Sequence, residues 1–389
     1  MKLHLDLRYS SKVSGSYKLD SAGLMQATGG NLGNLIFRHA LGSVLADFEE
    51  YVPVSWADTR ELSKRADPNH IIISAANWLG SSAEDERRNL GRSQIVETLD
   101  CPIAVFGLGV QAPTGASEVT FGPNTIRFAK ALANKSALIG VRDELTARSL
   151  RQIGISNVTI TGCPSNFINL NPALGVEIAR KAAELANAVD AWEDLRILIS
   201  EIGTSDLKRS KIGSTVANFI VNYSSFYVIQ SPNLLDFLLG ADRSLPLGYR
   251  GADMPRSENV FRRALLSRAL CFASVDAWLD FCRTCSISFG SRIHGTMVSL
   301  QAGIPSLLLG HDARTEGLGG VMGLPMLRED DFLASYSESP KKMFRLIAEQ
   351  MAGFDGRRSL LGSRMMAQLR RSGLKAHPAF LEYCSYPFQ

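Results

Sequence analysis

Short apolar runs recur along the chain, each closed by glycine or polar residues, with longer amphipathic stretches between them. His70-Ile71-Ile72-Ile73-Ser74-Ala75 is the clearest of these runs. It lacks the polar alternation of a half-exposed strand, so it predicts a strand covered on both faces, as in a parallel sheet. Pro102 to Phe106, Ala137 to Arg142 and Val158 to Pro164 read the same way, and Tyr51 to Val54 is a shorter candidate. Helical periodicity fills the intervals at Leu35–Leu45, 122–135 and Asp143–Leu150, with Asp143 a natural N-cap. Asn77 to Gly80 reads as a turn, and the charged stretch Glu84 to Arg92 leads into Ile95-Val96.

After a loop and a helix-rich connection over 165–192, the alternation restarts. Strands are predicted at Arg196–Ser200, Phe226–Gln230, Cys285–Gly290 and Ser306–Leu309. Helices are predicted over 211–223, 234–239, 260–271, 274–282 and 296–302, and 340–372 reads as helical and amphipathic. Residues 240–258, rich in Gly, Pro, Arg and Asp, read as a long loop. Strand–helix alternation of this kind predicts an α/β protein with two Rossmann-like domains facing each other across a cleft. The expected units are an N-terminal domain over 1–165, a C-terminal domain over 166–340, and helices over 341–389 that pack back on the first domain.

Composition adds exclusions. The formal net charge of +4 is spread over the 389 residues, so nucleic acid is not an expected partner. No run of about 18 apolar residues is present, so no transmembrane helix is expected. Met1 to Arg8 has neither an apolar core nor a small-residue cleavage site, which argues against a signal peptide. Six scattered cysteines suit a reducing cytoplasm, with peripheral contact at the inner face of a membrane compatible with the mild positive charge. No metal-ligand cluster is visible, and no cofactor is expected.

The chemistry concentrates at Gly290-Ser291-Arg292-Ile293-His294-Gly295, where a predicted strand turns into a helix. Ligands of open parallel sheets bind at such carboxyl ends, where helix N-termini offer free N–H groups. A guanidinium grips a carboxylate or phosphate in a planar fork, and an imidazole moves a proton near neutral pH. Their spacing places Arg292 and His294 on one side of an extended segment. The plain alternative is a helix-capping histidine beside a surface arginine. Arg142-Asp143 occupies the equivalent place in the first domain, where an N-cap beside an exposed arginine is the competing reading. Gly29-Gly30-Asn31-Leu32-Gly33-Asn34 is either a backbone cradle for an anion or a simple tight turn.

Gly107-Leu108-Gly109-Val110-Gln111-Ala112 mimics a dinucleotide fingerprint, but Pro113-Thr114-Gly115 follows at once and no helix starts there, so NAD binding is rejected. Cys282-Arg283-Thr284-Cys285 closes a helix, where a thioredoxin motif would open one, and reads as two buried thiols. His311 to Gly317 follows the next strand, so Arg314 and Glu316 either line the same cleft or belong to an ordinary polar loop.

Ser291-Arg292-Ile293-His294-Gly295, with Ala302-Gly303-Ile304-Pro305 and Asp312-Ala313-Arg314-Thr315-Glu316 behind it, resembles the polysaccharide pyruvyl transferase family. Gly30 to Asn34, Gly107 to Gln111, Val141-Arg142-Asp143 and Thr161 to Pro164 fall in the expected order upstream, so the resemblance spans about residues 29–316. It implies a GT-B-like fold and transfer of pyruvate from phosphoenolpyruvate to a sugar diol of a polysaccharide or lipid-linked precursor. The products are a cyclic ketal and phosphate. It further implies His294 and Arg292 as the catalytic pair, Arg142, Ser291, Gly295 and Arg314 around the donor, and Asn31, Asn34, Gln111 and Glu316 on the acceptor side. His294 is expected to act as general acid or base. The sequence departs from the family at Cys163-Pro164, where Asp-Pro is the usual pair. That departure sits at the expected domain junction, away from the chemistry. Two alternatives stay open: a GT-B glycosyltransferase using a nucleotide sugar, and a non-catalytic glycan-binding protein of the same fold.

Overall fold

The computed structural model describes all residues except 7–8, 60–67, 113–115, 117, 203–210, 241–243, 246–256, 311 and 388–389, and excludes the side chains of Asn233, Ala313 and Arg314. The described residues form two parallel sheets. The first contains β1 (Lys2–Asp6), β2 (Tyr51–Ser55), β3 (His70–Ser74), β4 (Asn77–Leu79), β5 (Ile103–Val110), β6 (Ile139–Val141) and β7 (Val158–Ile160). Its order is β2-β1-β3-β5-β6-β7, with short β4 pairing beside β5. The second contains β8 (Ile197–Ser200), β9 (Ser225–Val228), β10 (Ala269–Leu270), β11 (Ile287–Gly290), β12 (Ser306–Gly310) and β13 (Met326–Arg328), in the order β10-β9-β8-β11-β12-β13. These are two Rossmann-like units in a GT-B-like arrangement, the architecture expected from the alternation.

Strand residues divide by parity, as a period of two requires. Leu3, Leu5, Ile71, Ile73, Ile103 and Val105 enter one apolar cluster on the outer face of the first sheet. Ile72, Ala104 and Phe106 enter another, continuous with the strands of the second sheet. Each fully buried aliphatic side chain of this kind contributes about 1.5–3 kcal/mol relative to exposure. The helix Phe354–Arg371 returns to the first sheet, where Gln368 Nε2 donates to Val105 O at 2.6 Å. On the same helix, buried Arg358 donates to the carbonyls of Asn166, Asn169 and Asn171 in the connection between the sheets.

Several local expectations change. The N-terminal segment, for which no strand was anticipated, supplies β1, a strand lying between two others in the first sheet. His4 masks it: a polar residue in the pattern, it is buried between Ser10 Oγ (3.2 Å) and Ser74 Oγ (2.6 Å). Burial, helped by the Arg38 charge, pushes its pKa down to about 3. Asn77 to Leu79 is a strand and not a turn. The charged stretch from Glu84 belongs to a helix, Ala83–Thr98, closed at its start by a Ser82–Asp85 capping box. The helix expected over Leu35–Leu45 breaks at Ala40, and the helical stretch expected over 340–372 breaks at Met351–Gly353. Strand β5 runs on through Val110, with a register shift between Val105 and Leu108 and a left-handed Gly107 at φ 70°. The anticipated 240–258 loop falls largely outside the described residues, as do Gly203-Thr204-Ser205, which read in the sequence as a turn after the Arg196–Ser200 strand.

The strand orders fix where a ligand can enter. The first sheet reverses between β1 and β3, the second between β8 and β11. Splayed loops at such reversals leave a crevice at the carboxyl ends. Here those ends are Asp6, Ser74, Ser200 and Gly290.

Candidate active site

A cavity of about 750 Å³ opens between the two units at these reversals. Strand ends supply it: Asp6 closes β1, Ser55 closes β2, Ala76 and Asn77 follow β3, Gln111 follows β5, Arg142 follows β6 and Ser291 follows β11. Ser291, Arg292, His294, Arg142, Asn31, Asn34 and Gln111 all line it, so most of the expected residues come together. Gly295 sits behind the lining, where a Cβ would meet Ser200 Oγ at 2.5 Å and Gln230 Nε2 at 2.7 Å. Glu316 lies against Gly310 and is not in the lining, whereas Thr315 and Leu318 of the same helix are. The Arg314 side chain lies outside the described residues.

The Arg292–His294 turn differs from the extended segment expected. Arg292 is the N-cap and His294 lies in the first turn of the helix Ile293–Gln301. Ser200 Oγ donates to Arg292 O at 3.2 Å, tying this turn to the end of β8. Arg292 Nη2 is 3.8 Å from Glu201 Oε1. Buried Glu201 is already held by Gln230 N at 2.6 Å, Ser231 N at 2.8 Å and the Ser231 hydroxyl, so it orients Arg292 without saturating it. Arg292 Nε is buried with no partner among the described residues. A guanidinium so placed has donors left for an anion.

His294 packs against Phe37, ring centroids 5.2 Å apart, with Nε2 at 3.6 Å from Cys163 Sγ. The Cys163-Pro164 departure therefore touches the candidate catalytic histidine, contrary to the expectation that it lies apart from the chemistry. Burial, followed by the charges of Arg142 and Arg38, drives the His294 pKa down to about 3. The imidazole is therefore neutral at physiological pH.

Arg142 is buried and stretched between backbone groups. Its Nε donates to Gly107 O at 2.8 Å, Nη1 to Asn77 Oδ1 at 3.2 Å and Nη2 to Ala75 O at 3.3 Å. This accounts for the fingerprint-like glycines. Left-handed Gly107 presents its carbonyl, and a Cβ on Gly109 would stand 2.4 Å from Asn77 Oδ1 and 3.0 Å from Arg142 Cδ. The glycines make room for an arginine and not for a pyrophosphate. Asp143 is the N-cap of Glu144–Gln152, its carboxylate accepting from Thr146 N at 2.7 Å.

The Gly29–Asn34 turn is self-supporting: Asn31 Oδ1 accepts from Gly33 N at 2.7 Å and Asn34 Nδ2 donates to Thr28 O at 2.9 Å. Leu32 N donates across to Gln230 O at 2.8 Å and clips the turn to the second unit.

Sequence reasoning missed a second set of residues. Arg38, from the helix Asn34–His39, is 2% exposed, pairs with Asp6, and keeps a buried Nε without a partner. Its guanidinium carbon lies 5.0 Å from the Phe37 ring centroid, and that of Arg142 lies 5.6 Å from it. Arg92 stacks over Trp78 at 4.4 Å and Trp56 at 5.7 Å, and Arg88 lines the cavity near the surface. Desolvation holds Arg92 down to about 10. A helical spacing of four residues between Arg88 and Arg92 was the only sequence signal for this wall. Among the described residues no group of three or more His, Cys, Asp or Glu is placed to hold a metal ion, and no helix is long and apolar enough to cross a membrane.

A profile of the polysaccharide pyruvyl transferase family matches residues 31–313. The chain belongs to that family. No curated protein sequence matches the chain. Among solved structures, the S. aureus MnaA–UDP co-structure aligns over 91% of this chain and 92% of its own at 10% identity and TM-score 0.41. The Methanocaldococcus jannaschii UDP-GlcNAc 2-epimerase complexed with UDP-GlcNAc and UDP aligns over 90% and 92%, at 10% identity and TM-score 0.37. The wall teichoic acid polymerase TagF, H444N variant, covers 82% and 78% at 10% identity and TM-score 0.38. These likenesses are too loose to bear on function.

Proposed function

We propose that the cavity transfers pyruvate from phosphoenolpyruvate to a sugar diol of a polysaccharide or lipid-linked precursor, forming a cyclic ketal and releasing phosphate. The observation that carries this reading is the convergence of Arg292, Arg142 and Arg38 around the half-buried, neutral His294. Phosphoenolpyruvate presents a phosphate and a carboxylate on one small carbon skeleton. Arg292 and Arg38 each keep a buried unpartnered Nε for such groups, and Arg142 contributes a fixed positive charge. In the order of events, the anionic donor offsets the field of Arg142 and Arg38, which raises the proton affinity of His294. His294 then delivers a proton to the methylene carbon, and C2 becomes open to a hydroxyl. Two hydroxyl protons are lost overall; one ends on the new methyl group and one on phosphate. Holding donor and acceptor in one cavity supplies the proximity both ring-closing steps require.

The test is phosphate release from phosphoenolpyruvate with a panel of hexosides and lipid-linked sugars, alongside thermal unfolding. Phosphoenolpyruvate is expected to raise the unfolding temperature. Stabilisation by a nucleoside diphosphate, with none by phosphoenolpyruvate and no phosphate release, overturns the reading in favour of a nucleotide-sugar transferase.

A further inference from the structure

Among the described lining residues, one carboxylate, Asp6, stands against Arg38, Arg88, Arg92, Arg142 and Arg292. It closes β1 at the reversal of the first sheet and is paired in register with Ser55, next to Trp56. One of its oxygens, Oδ2, pairs with Arg38 Nη2, and its charge is felt by Arg92 on the far side. Arg38 in turn acts on His294. Asp6 therefore stands one arginine away from the proton donor, toward the Trp56–Trp78 wall. Its side chain is only 11% exposed, and the cavity borders it.

The proposed reaction needs a group that accepts a hydroxyl proton. Arginines only donate, and amides accept hydrogen bonds without holding a proton. His294 is committed to the methylene. We propose, resting on the pyruvyl-transfer reading, that Asp6 is the catalytic carboxylate that binds the acceptor diol and takes the proton of the attacking hydroxyl. The C2–O bond forms as the O–H bond breaks toward Asp6. The second hydroxyl restores the proton to His294 as the C–O bond to phosphate breaks, and Asp6 passes its proton to the departing phosphate. The balance closes with one proton on carbon, one on phosphate and both residues regenerated. A hydroxyl adding to a cationic carbon is strongly acidified in the transition state, so a carboxylate can take its proton.

The experiment compares the full chain with Asp6→Asn, using phosphoenolpyruvate for binding and para-nitrophenyl hexosides as acceptor probes for turnover. The amide can still accept from Arg38, so the fold and phosphoenolpyruvate affinity are expected to hold. Turnover should fall by about 10²–10⁴-fold, and the acid limb of the kcat/KM profile should vanish. Turnover within about threefold of wild type, or a loss that only tracks weaker phosphoenolpyruvate binding, overturns the proposal. Should Asp6→Asn not fold, Asp6→Glu decides: turnover with a displaced acid limb supports the role, and an unmoved limb or no turnover overturns it. A wild-type chain that binds phosphoenolpyruvate yet turns over neither hexosides nor lipid-linked sugars removes the transfer reading itself, and the role of Asp6 with it.

Discussion

The two walls of the cavity are built on different principles. The arginine and histidine of the second-unit wall come from one short segment, Ser291 to His294, braced by Ser200 and Glu201 at the end of the neighbouring strand, while Gln230, Thr315 and Leu318 complete the lining. The first-unit wall is assembled from separate places: Asp6 on a strand, Arg38 and Arg92 on two helices, Trp56 and Trp78 beside strand ends, and Arg142 after another strand. In the contiguous wall Arg292 is held by one loose pairing with Glu201, and its Nε has no partner among the described residues. In the dispersed wall, part of the charge is engaged in holding the structure: Arg142 donates through all three guanidinium nitrogens to the protein, and Arg38 pairs with Asp6. Arginines that look equivalent in sequence therefore have unequal tasks.

The comparison breaks most readily at His294. His294→Ala should lower turnover by about 10²–10⁴-fold while the chain still binds phosphoenolpyruvate through the arginines, checked by steady-state phosphate release and by calorimetric titration. Turnover close to wild type would remove His294 from the chemistry. On the opposite wall, Arg142→Met should show itself first as lost stability. The buried carbonyls of Gly107 and Ala75 lose their donor, each worth about 1–3 kcal/mol, and the drop is read from the urea midpoint. A stable, inactive Arg142→Met protein would place Arg142 with Arg292 as an open anion grip.

Protonation gives the third contrast. The folded pKa values of His4 and His294 lie near 3, below the ordinary value of 6.5. Between those limits the unfolded chain binds these protons and the folded chain does not, so stability is full above 6.5 and falls as the pH drops toward 3. Each histidine adds a slope of at most about 1.4 kcal/mol per pH unit. Urea titrations over this range should show a shallower slope for His294→Ala than for wild type, and phosphoenolpyruvate should reduce the His294 share. An unchanged slope would mean that the imidazole is not desolvated. The smallest effect is expected from Arg92→Met, which keeps the stem packed on Trp78 but removes the charge. The acceptor KM should rise by about tenfold with phosphoenolpyruvate affinity unaltered, as for loss of one rim charge–ligand contact of ~1.4 kcal/mol.

What was legible in the sequence follows from this division. Arg292 and His294 stand two positions apart, so one strand-to-helix turn is enough to predict that they share a site. Arg142 was legible for the same local reason, although its role as a backbone tie was not. Asp6 and Arg38 are separated by 32 residues and meet only because β1 runs beside β2 and β3. Cys163 reaches His294 across a separation of 131 residues. The N-terminal strand was hidden by a histidine whose burial makes sense only with Ser10 and Ser74 beside it.

Periodicity and turn chemistry, which are local, determined the two α/β units and the Ser291–His294 donor turn. Strand order is set by long-range burial, which local pattern does not encode. That order alone put Asp6, Arg38 and Arg92 around the same cavity and Cys163 against His294, and desolvation there made His294 neutral.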